Sequence, residues 1–113
     1  MTQHDDLVRL RHMLDHSREA VAMARGKRSE DLKRNRMMQL ALVRLVEIIG
    51  EAATRVSDEG RARHPSVPWQ AAIGMRNRLV HGYDQIDLDV LWDTVQDDLP
   101  ALIGQLERIV GPA

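Results

Sequence analysis

Between Met38 and Val56 the chain places an apolar residue at nearly every third or fourth position: Met38, Ala41, Leu42, Leu45, Ile48, Ile49, Ala52 and Val56. That spacing follows the 3.6-residue period of an α-helix and offers a strand no consistent face. Met37, Leu40, Val43 and Val46 form a second set and widen the stripe beyond the needs of a surface helix. An apolar surface on more than one side means a central helix or a helix shared with another subunit. In so small a chain the second is favoured, so a homodimer whose interface completes the core is expected.

The rest of the sequence reads in the same way. Leu7, Leu10, Leu14, Val21 and Ala24 predict an amphipathic helix over about 5–24, stopped at Gly26 with cations beside its C-terminus. Ser29 is a good N-cap, with Glu30 and Asp31 in the first turn, so the central helix is expected to run unbroken from Ser29 to about Val56. Residues 57–68, punctuated by Gly60, Pro65 and Pro68, read as a loop. Pro68 then opens a helix to about residue 81, with Trp69, Ile73, Arg76, Val80 and Tyr83 along one side and Gly82 as its exit. A last helix starts near Asp87 and continues through Leu102, Leu106 and Val110, interrupted or kinked at Pro100. No segment alternates as a strand does. One all-α domain over residues 1–113, a bundle of four or five helices, is the expected fold.

Composition narrows the function classes. The sequence has no Cys, which removes disulfides, thiolate nucleophiles and thiolate metal sites. It has no Phe, and Trp69, Trp92 and Tyr83 are the aromatic residues. No uncharged run approaches the ~20 residues that span a bilayer, and Met1–Arg11 is polar and charged, unlike a signal peptide. A cytoplasmic protein with no membrane partner is the plain expectation. The formal net charge of −1 conceals a division: residues 1–83 hold 15 Lys or Arg against 10 acids, whereas residues 84–113 hold Arg108 against seven acids. The basic part could attract phosphates, through Lys33, Arg34, Arg36, Arg61 and Arg63, and such binding would weaken steeply with salt. Equally, both parts could be solvated helix faces.

The chemistry concentrates in Arg76-Asn77-Arg78-Leu79-Val80-His81-Gly82-Tyr83. On a continuous helix Asn77 and His81 are four apart and share a face. Arg76 and His81 are about 140° apart, so they converge only on a site between their directions, in a cleft between helices or subunits. An imidazole can move a proton near neutral pH, a guanidinium can grip a phosphate on two sides, and an amide can orient the histidine or a substrate oxygen. These are the parts for cleaving RNA without a metal, the 2′-hydroxyl being the nucleophile. By residue types alone, the same set could be polar residues finishing a helix.

The ordered set Ile73-Gly74-Met75-Arg76-Asn77-Arg78-Leu79-Val80-His81-Gly82-Tyr83 resembles the signature of HepT-like proteins of the HEPN superfamily, Arg-x4-His-x-Tyr. The resemblance takes in Glu47-Ile48-Ile49-Gly50-Glu51-Ala52-Ala53, Val67-Pro68-Trp69, Ile86-Asp87 and Asp98-Leu99-Pro100, spanning about residues 28–106. It implies a helical, HEPN-like dimer that acts as the toxin of a type II toxin–antitoxin pair, a metal-independent ribonuclease with no cofactor. Arg76 and His81 would be the catalytic pair and Asn77 their support. The partner implied is an MntA-like nucleotidyltransferase antitoxin, which adenylylates the motif tyrosine, here Tyr83. The RNA could be tRNA or mRNA. A second reading keeps the fold and removes the chemistry: an inactive dimer that binds nucleotides, RNA or a protein partner.

Other polar residues weigh less. Glu47 and Glu51 lie four apart in the central helix, either as support for the site or as ion-pair partners of Arg44, Arg55 or Arg76; a pair between Arg76 and Glu51 is one form this could take. His12 and His16 have the spacing of a metal pair, but with His4 and His64 they lack a clustered ligand set and read as solvated surface.

Overall fold

Helix α3, Arg36–Arg55, is the axis of the bundle in the computed structural model, which describes residues 3–111 and side chains from Asp5 onward. Its buried face, Met38, Leu42, Leu45, Val46, Ile49, Ala52 and Ala53, is largely the set picked out by periodicity. One side packs on α1, Gln3–Ala24, and the other on α5, Trp69–Leu79, while α7, Leu99–Val110, packs on α1. Leu10, Met13 and Leu14 of α1, Met75 and Leu79 of α5, and Leu99, Leu102 and Leu106 of α7 share one core with it. The all-helical bundle expected from the sequence is the observed fold. Of the second apolar set, Val46 enters the core and Val43 is half-buried, but Met37 and Leu40 stand 81% and 50% exposed.

The expected helix from Ser29 to Val56 is two helices. A short α2, Ser29–Lys33, ends at Arg34, and the extended backbone of Asn35 turns the chain into α3. Asn35 is the reason: its side-chain oxygen accepts from Met38 N at 3.0 Å, a new N-cap within a run that otherwise looks helical. The buried Gln39 amide donates to Leu32 O at 2.9 Å, supplying a partner at the open end of α2. At the other end Arg28, rather than Ser29, is the N-cap of α2, and its N–H donates to Asp31 Oδ2 at 2.7 Å.

The expected loop over 57–68 contains α4, Asp58–Arg63. Ser57 caps it by accepting from Gly60 N at 3.0 Å. Ser57 is also tied to α1, because the buried carboxylate of Asp6 accepts from Ser57 N at 2.9 Å and from Ser57 Oγ at 2.6 Å. The Ser57 hydroxyl is the main influence holding the Asp6 carboxyl below its ordinary range, against burial, which pushes it up. Trp69 anchors α5 by donating from Nε1 to His64 O at 3.0 Å.

Two further corrections bear on function. α5 ends at Leu79, not at 81, and Val80–His81 forms strand β1, paired antiparallel with β2, Gln85–Ile86. The chain thus contains a strand pair where none was expected. Between α6, Leu88–Asp93, and α7 the helical path is not broken at Pro100 but widened into a π-helical turn, Thr94–Asp98, closed by Leu99 N donating to Thr94 O. Pro100 lacks an N–H and its ring crowds the carbonyl four residues earlier, and a wider turn accommodates both. Among the described residues no helix is long and apolar enough to cross a membrane.

Candidate active site

The site begins where α3 and α5 come closest. A Cβ on Gly50 would lie 3.2 Å from Ala72 O and 3.3 Å from Ile73 O, so only glycine lets the two backbones approach this far without displacement. One turn away on each helix, on the same side of this crossing, stand Glu47 and Arg76. Arg76 Nε lies 3.0 Å from Glu47 Oε2. The other carboxylate oxygen of Glu47 takes Arg44 Nη1 at 2.5 Å, and Arg44 also lies 3.8 Å from Glu51 Oε1. The partner of Arg76 is therefore Glu47, not Glu51, and Glu47 is shared between two guanidinium groups. Next to this cluster is an open depression of about 210 Å³ lined by Glu47, Glu51 and Thr54 of α3 and by Ile73, Arg76 and Asn77 of α5, with Gly50 beneath.

His81 is placed by different means. Because α5 stops at Leu79, Asn77 and His81 do not share a helix face, and Arg76 and Tyr83 do not stack. His81 sits in β1 opposite Gln85, while Val80 pairs with Ile86. The strand alternation turns Val80 and Ile86 against the core and leaves His81 and Gln85 exposed. His81 Nε2 lies 3.7 Å from Asp87 Oδ2, an ion-pair separation rather than a hydrogen bond. Asp87 was legible in the sequence as the start of a helix and, with Ile86, as part of the HepT-like resemblance, but not as a partner of His81. Here its Oδ1 accepts from Val90 N at 3.1 Å, capping α6, and its own N–H donates to Leu79 O at 2.7 Å.

Gly82, Tyr83 and Asp84 form the hairpin tip. Gly82 has φ +65°, a conformation that an L-residue adopts only with strain, and it lets the strand turn directly after His81. Tyr83 is 99% exposed. A tyrosine needed for packing buries its ring; this one presents ring and hydroxyl to solvent. The segment thus splits into a guanidinium held on a rigid helix, beside Asn77, and an imidazole and phenol carried on a hairpin.

The remaining candidates are mostly engaged elsewhere. Lys33 pairs with Asp89 at 3.4 Å and Arg63 with Glu59 at 3.7 Å. Arg61 donates to Val56 O and Thr54 O, finishing the C-terminus of α3. Arg78 of the motif lies 3.9 Å from Asp98. His16 Nδ1 is 2.7 Å from His12 O, and among the described residues no three acidic or histidine side chains cluster to hold a metal. The side chain of His4 lies outside the described residues.

The HepT-like family model, described as ribonuclease HepT-like, matches residues 13–109, nearly the whole chain. The chain belongs to the HepT-like family. It is 39% identical over 80 residues to "Probable ribonuclease HepT" of Thermococcus cleftensis, covering 71% of this chain and 73% of that protein. It is 31% identical over 109 residues to "Putative RNase MJ1380" of Methanocaldococcus jannaschii, covering 96% and 100%. A third relative, "Putative RNase TTE0752" of Caldanaerobacter subterraneus, is 33% identical over 101 residues, 89% of this chain and 90% of that protein. No solved structure matches the chain.

Proposed function

We propose that this HepT-like chain is a metal-independent ribonuclease, the toxin of a type II toxin–antitoxin pair, in which Arg76 and His81 act on the scissile phosphate. The observation that carries the reading is the pairing of each group with its own carboxylate, Glu47 for Arg76 and Asp87 for His81, while both stay about half exposed. That exposure leaves both groups open to a ligand. His81 takes the proton of the ribose 2′-hydroxyl as that oxygen attacks phosphorus, and the bond to the 5′-oxygen breaks. The products are a 2′,3′-cyclic phosphate and a 5′-hydroxyl, whose proton comes from the imidazolium or from water. Arg76 offsets the charge that grows on the phosphoryl oxygens, with Asn77 beside it as a further donor.

Tyr83 is the control point in this reading. An MntA-like nucleotidyltransferase antitoxin transfers AMP from ATP to its hydroxyl, the phenol oxygen bonding to the α-phosphorus as pyrophosphate leaves and the phenol proton is lost; this requires access from solvent, and 99% exposure supplies that. The AMP places a phosphate and a nucleoside two residues from His81, opposing RNA by charge and by bulk. A second copy of the chain is the other expected partner. Met37, Leu40, Arg44, Glu47 and Glu51 recur every three or four residues, so the exposed apolar end of α3 shares a face with the charged site. A subunit covering Met37 and Leu40 would bring its own site alongside.

The test is RNA cleavage by purified wild-type protein and His81→Ala with EDTA present. Cleavage by the wild type alone supports the reading. Equal cleavage by both proteins refutes it, and tight RNA binding without turnover by either assigns the chain as a binding module instead.

A further inference from the structure

The hairpin, two paired positions joined by a three-residue tip, has a geometric consequence at Asp87. In the antiparallel register Val80↔Ile86 and His81↔Gln85, residue 87 is two beyond the residue opposite His81, and therefore its diagonal neighbour on the same face. The hydrogen bond from Asp87 N to Leu79 O, at 2.7 Å, extends the pairing by one step and fixes the Asp87 backbone. The carboxylate is then divided. Oδ1 is held by Val90 N at 3.1 Å, and this bond sets the side-chain rotamer and turns Oδ2 toward His81 Nε2, 3.7 Å away.

Capping α6 requires only one oxygen, and Asn, Ser or Thr would provide it about as well. The second oxygen, aimed at an imidazole, is not explained by capping. Nor does stability explain it, since the pair is solvent-exposed and such pairs contribute little. We propose that Asp87 is the positioning residue of His81: its Oδ2 holds Nε2 as the protonated ring nitrogen and leaves Nδ1 as the atom that exchanges a proton with RNA. This rests on the ribonuclease reading above and names the group that sets its proton-transfer geometry. As Nδ1 takes the 2′-hydroxyl proton, the carboxylate faces the cation that forms, as the acidic member of a catalytic triad does. A separation of 3.7 Å without substrate is closed by a small ring rotation, and such contacts commonly tighten only in the reacting complex.

Asp87→Asn separates the two roles. Asn keeps an oxygen for Val90 N, so α6 remains capped and the melting temperature stays within about 2 °C of wild type. With that oxygen engaged, the amide turns its NH2 toward His81 and favours the opposite tautomer, with Nε2 as acceptor. In the RNA assay kcat should fall about 10- to 100-fold with KM little changed, because Asp87 faces the histidine and not the RNA. Asp89→Asn, which removes a first-turn charge of α6 that pairs with Lys33 and does not face His81, should retain wild-type kcat. Full activity in Asp87→Asn, or a loss no greater than its loss of folded protein, overturns the proposal. If the wild type itself cleaves no RNA, the ribonuclease reading fails separately, and the ring-nitrogen NMR signals of His81 still decide this one. A change in tautomer balance between wild type and Asp87→Asn supports the contact, and identical signals overturn it.

Discussion

Removing the carboxylate of Glu47 is the sharpest perturbation available at the arginine half of the site. Glu47 Oε2 meets Arg76 Nε at 3.0 Å and Oε1 meets Arg44 at 2.5 Å, with the Glu47 side chain 29% and the Arg76 side chain 45% exposed. At an effective dielectric constant near 20, a charge pair at 3 Å attracts by about 5 kcal/mol before costs. Exposure, desolvation and side-chain ordering reduce the net contribution of such pairs to about 0.2–1 kcal/mol. Two arginines lose their shared partner at once, so about 1–2 kcal/mol is the upper end for Glu47→Gln, a fall in melting temperature of roughly 3–10 °C for a domain of this size. Activity should respond far more. Arg76 would keep its charge but lose the contact that fixes its direction, and an error of about 1 Å in placing such a group can cost on the order of 100-fold. We expect single-turnover RNA cleavage by Glu47→Gln to fall about 10- to 100-fold at a temperature where the variant is fully folded. Glu59→Gln, which breaks an exposed pair with Arg63 at 3.7 Å, serves as the control and should do neither. Wild-type cleavage by folded Glu47→Gln, or a loss that merely tracks its unfolded fraction, would show that Arg76 acts without this clamp.

Three other outcomes follow from the geometry. Gly50→Val adds a branched side chain where even a Cβ would sit 3.2 Å from Ala72 O, so urea melts should show a loss of about 1–3 kcal/mol, and cleavage by the folded fraction should fall as α5 is pushed from α3. Asp6→Asn should destabilise the protein at neutral pH, because the Ser57 hydroxyl and N–H bind the ionised carboxylate. With the folded pKa depressed, that stabilisation is complete above the ordinary carboxyl value of 3.8 and is lost as pH falls through the lower folded value, so the two melting curves should converge in acid; a gap that persists there contradicts the assignment. Tyr83→Phe should keep its ribonuclease activity and its fold, the ring being exposed, but should gain no AMP on co-expression with a small nucleotidyltransferase, as read by intact mass.

Much of this was legible from residues alone. The 3.6-residue spacing of Leu42, Leu45, Ile49 and Ala52 identified the buried face of α3, because burying a helix requires that spacing in any context. Gly26 ended α1 as expected, with φ +75°. What misled was local chemistry that competes with periodicity. Asn35 caps a new helix inside an apparently helical run, and Ser57 caps a one-turn helix inside an apparent loop. A hairpin with two paired positions shows too little alternation to be read as strand at all. At the site, Arg76, Asn77, His81 and Tyr83 stood out as residue types, and Glu47 and Glu51 as ion-pair partners of nearby arginines, but which glutamate takes Arg76 did not, nor did the contact of Asp87 with His81. The choice of Glu47 over Glu51 depends on where Gly50 lets α5 cross α3, and the contact of Asp87 with His81 depends on hairpin register. Both are tertiary quantities with no one-dimensional signature.

Ending α5 at Leu79 also decides what kind of site this segment can make. Had the helix continued through residue 81, His81 would have been fixed about 140° around the axis from Arg76, and Tyr83 would have followed on the helix with part of its surface covered. By leaving the helix, the chain gives the two groups separate supports. Arg76 keeps the stiffness of α5 and the Glu47 clamp. His81 gains the alternation of a strand, which sends Val80 and Ile86 inward and the imidazole outward, and a carboxylate supplied by the start of the next helix. The same departure carries Tyr83 to a tip where an enzyme can reach it, two residues from the histidine it would control. A charge attached at that tip would need no transmitted conformational change to oppose RNA, because it would be carried on the same hairpin two residues from His81. Moving the phenol away from His81 by inserting two glycines between Gly82 and Tyr83 should therefore leave the hydroxyl modifiable while weakening the inhibition proposed for its modification, as read by RNA cleavage before and after AMP transfer.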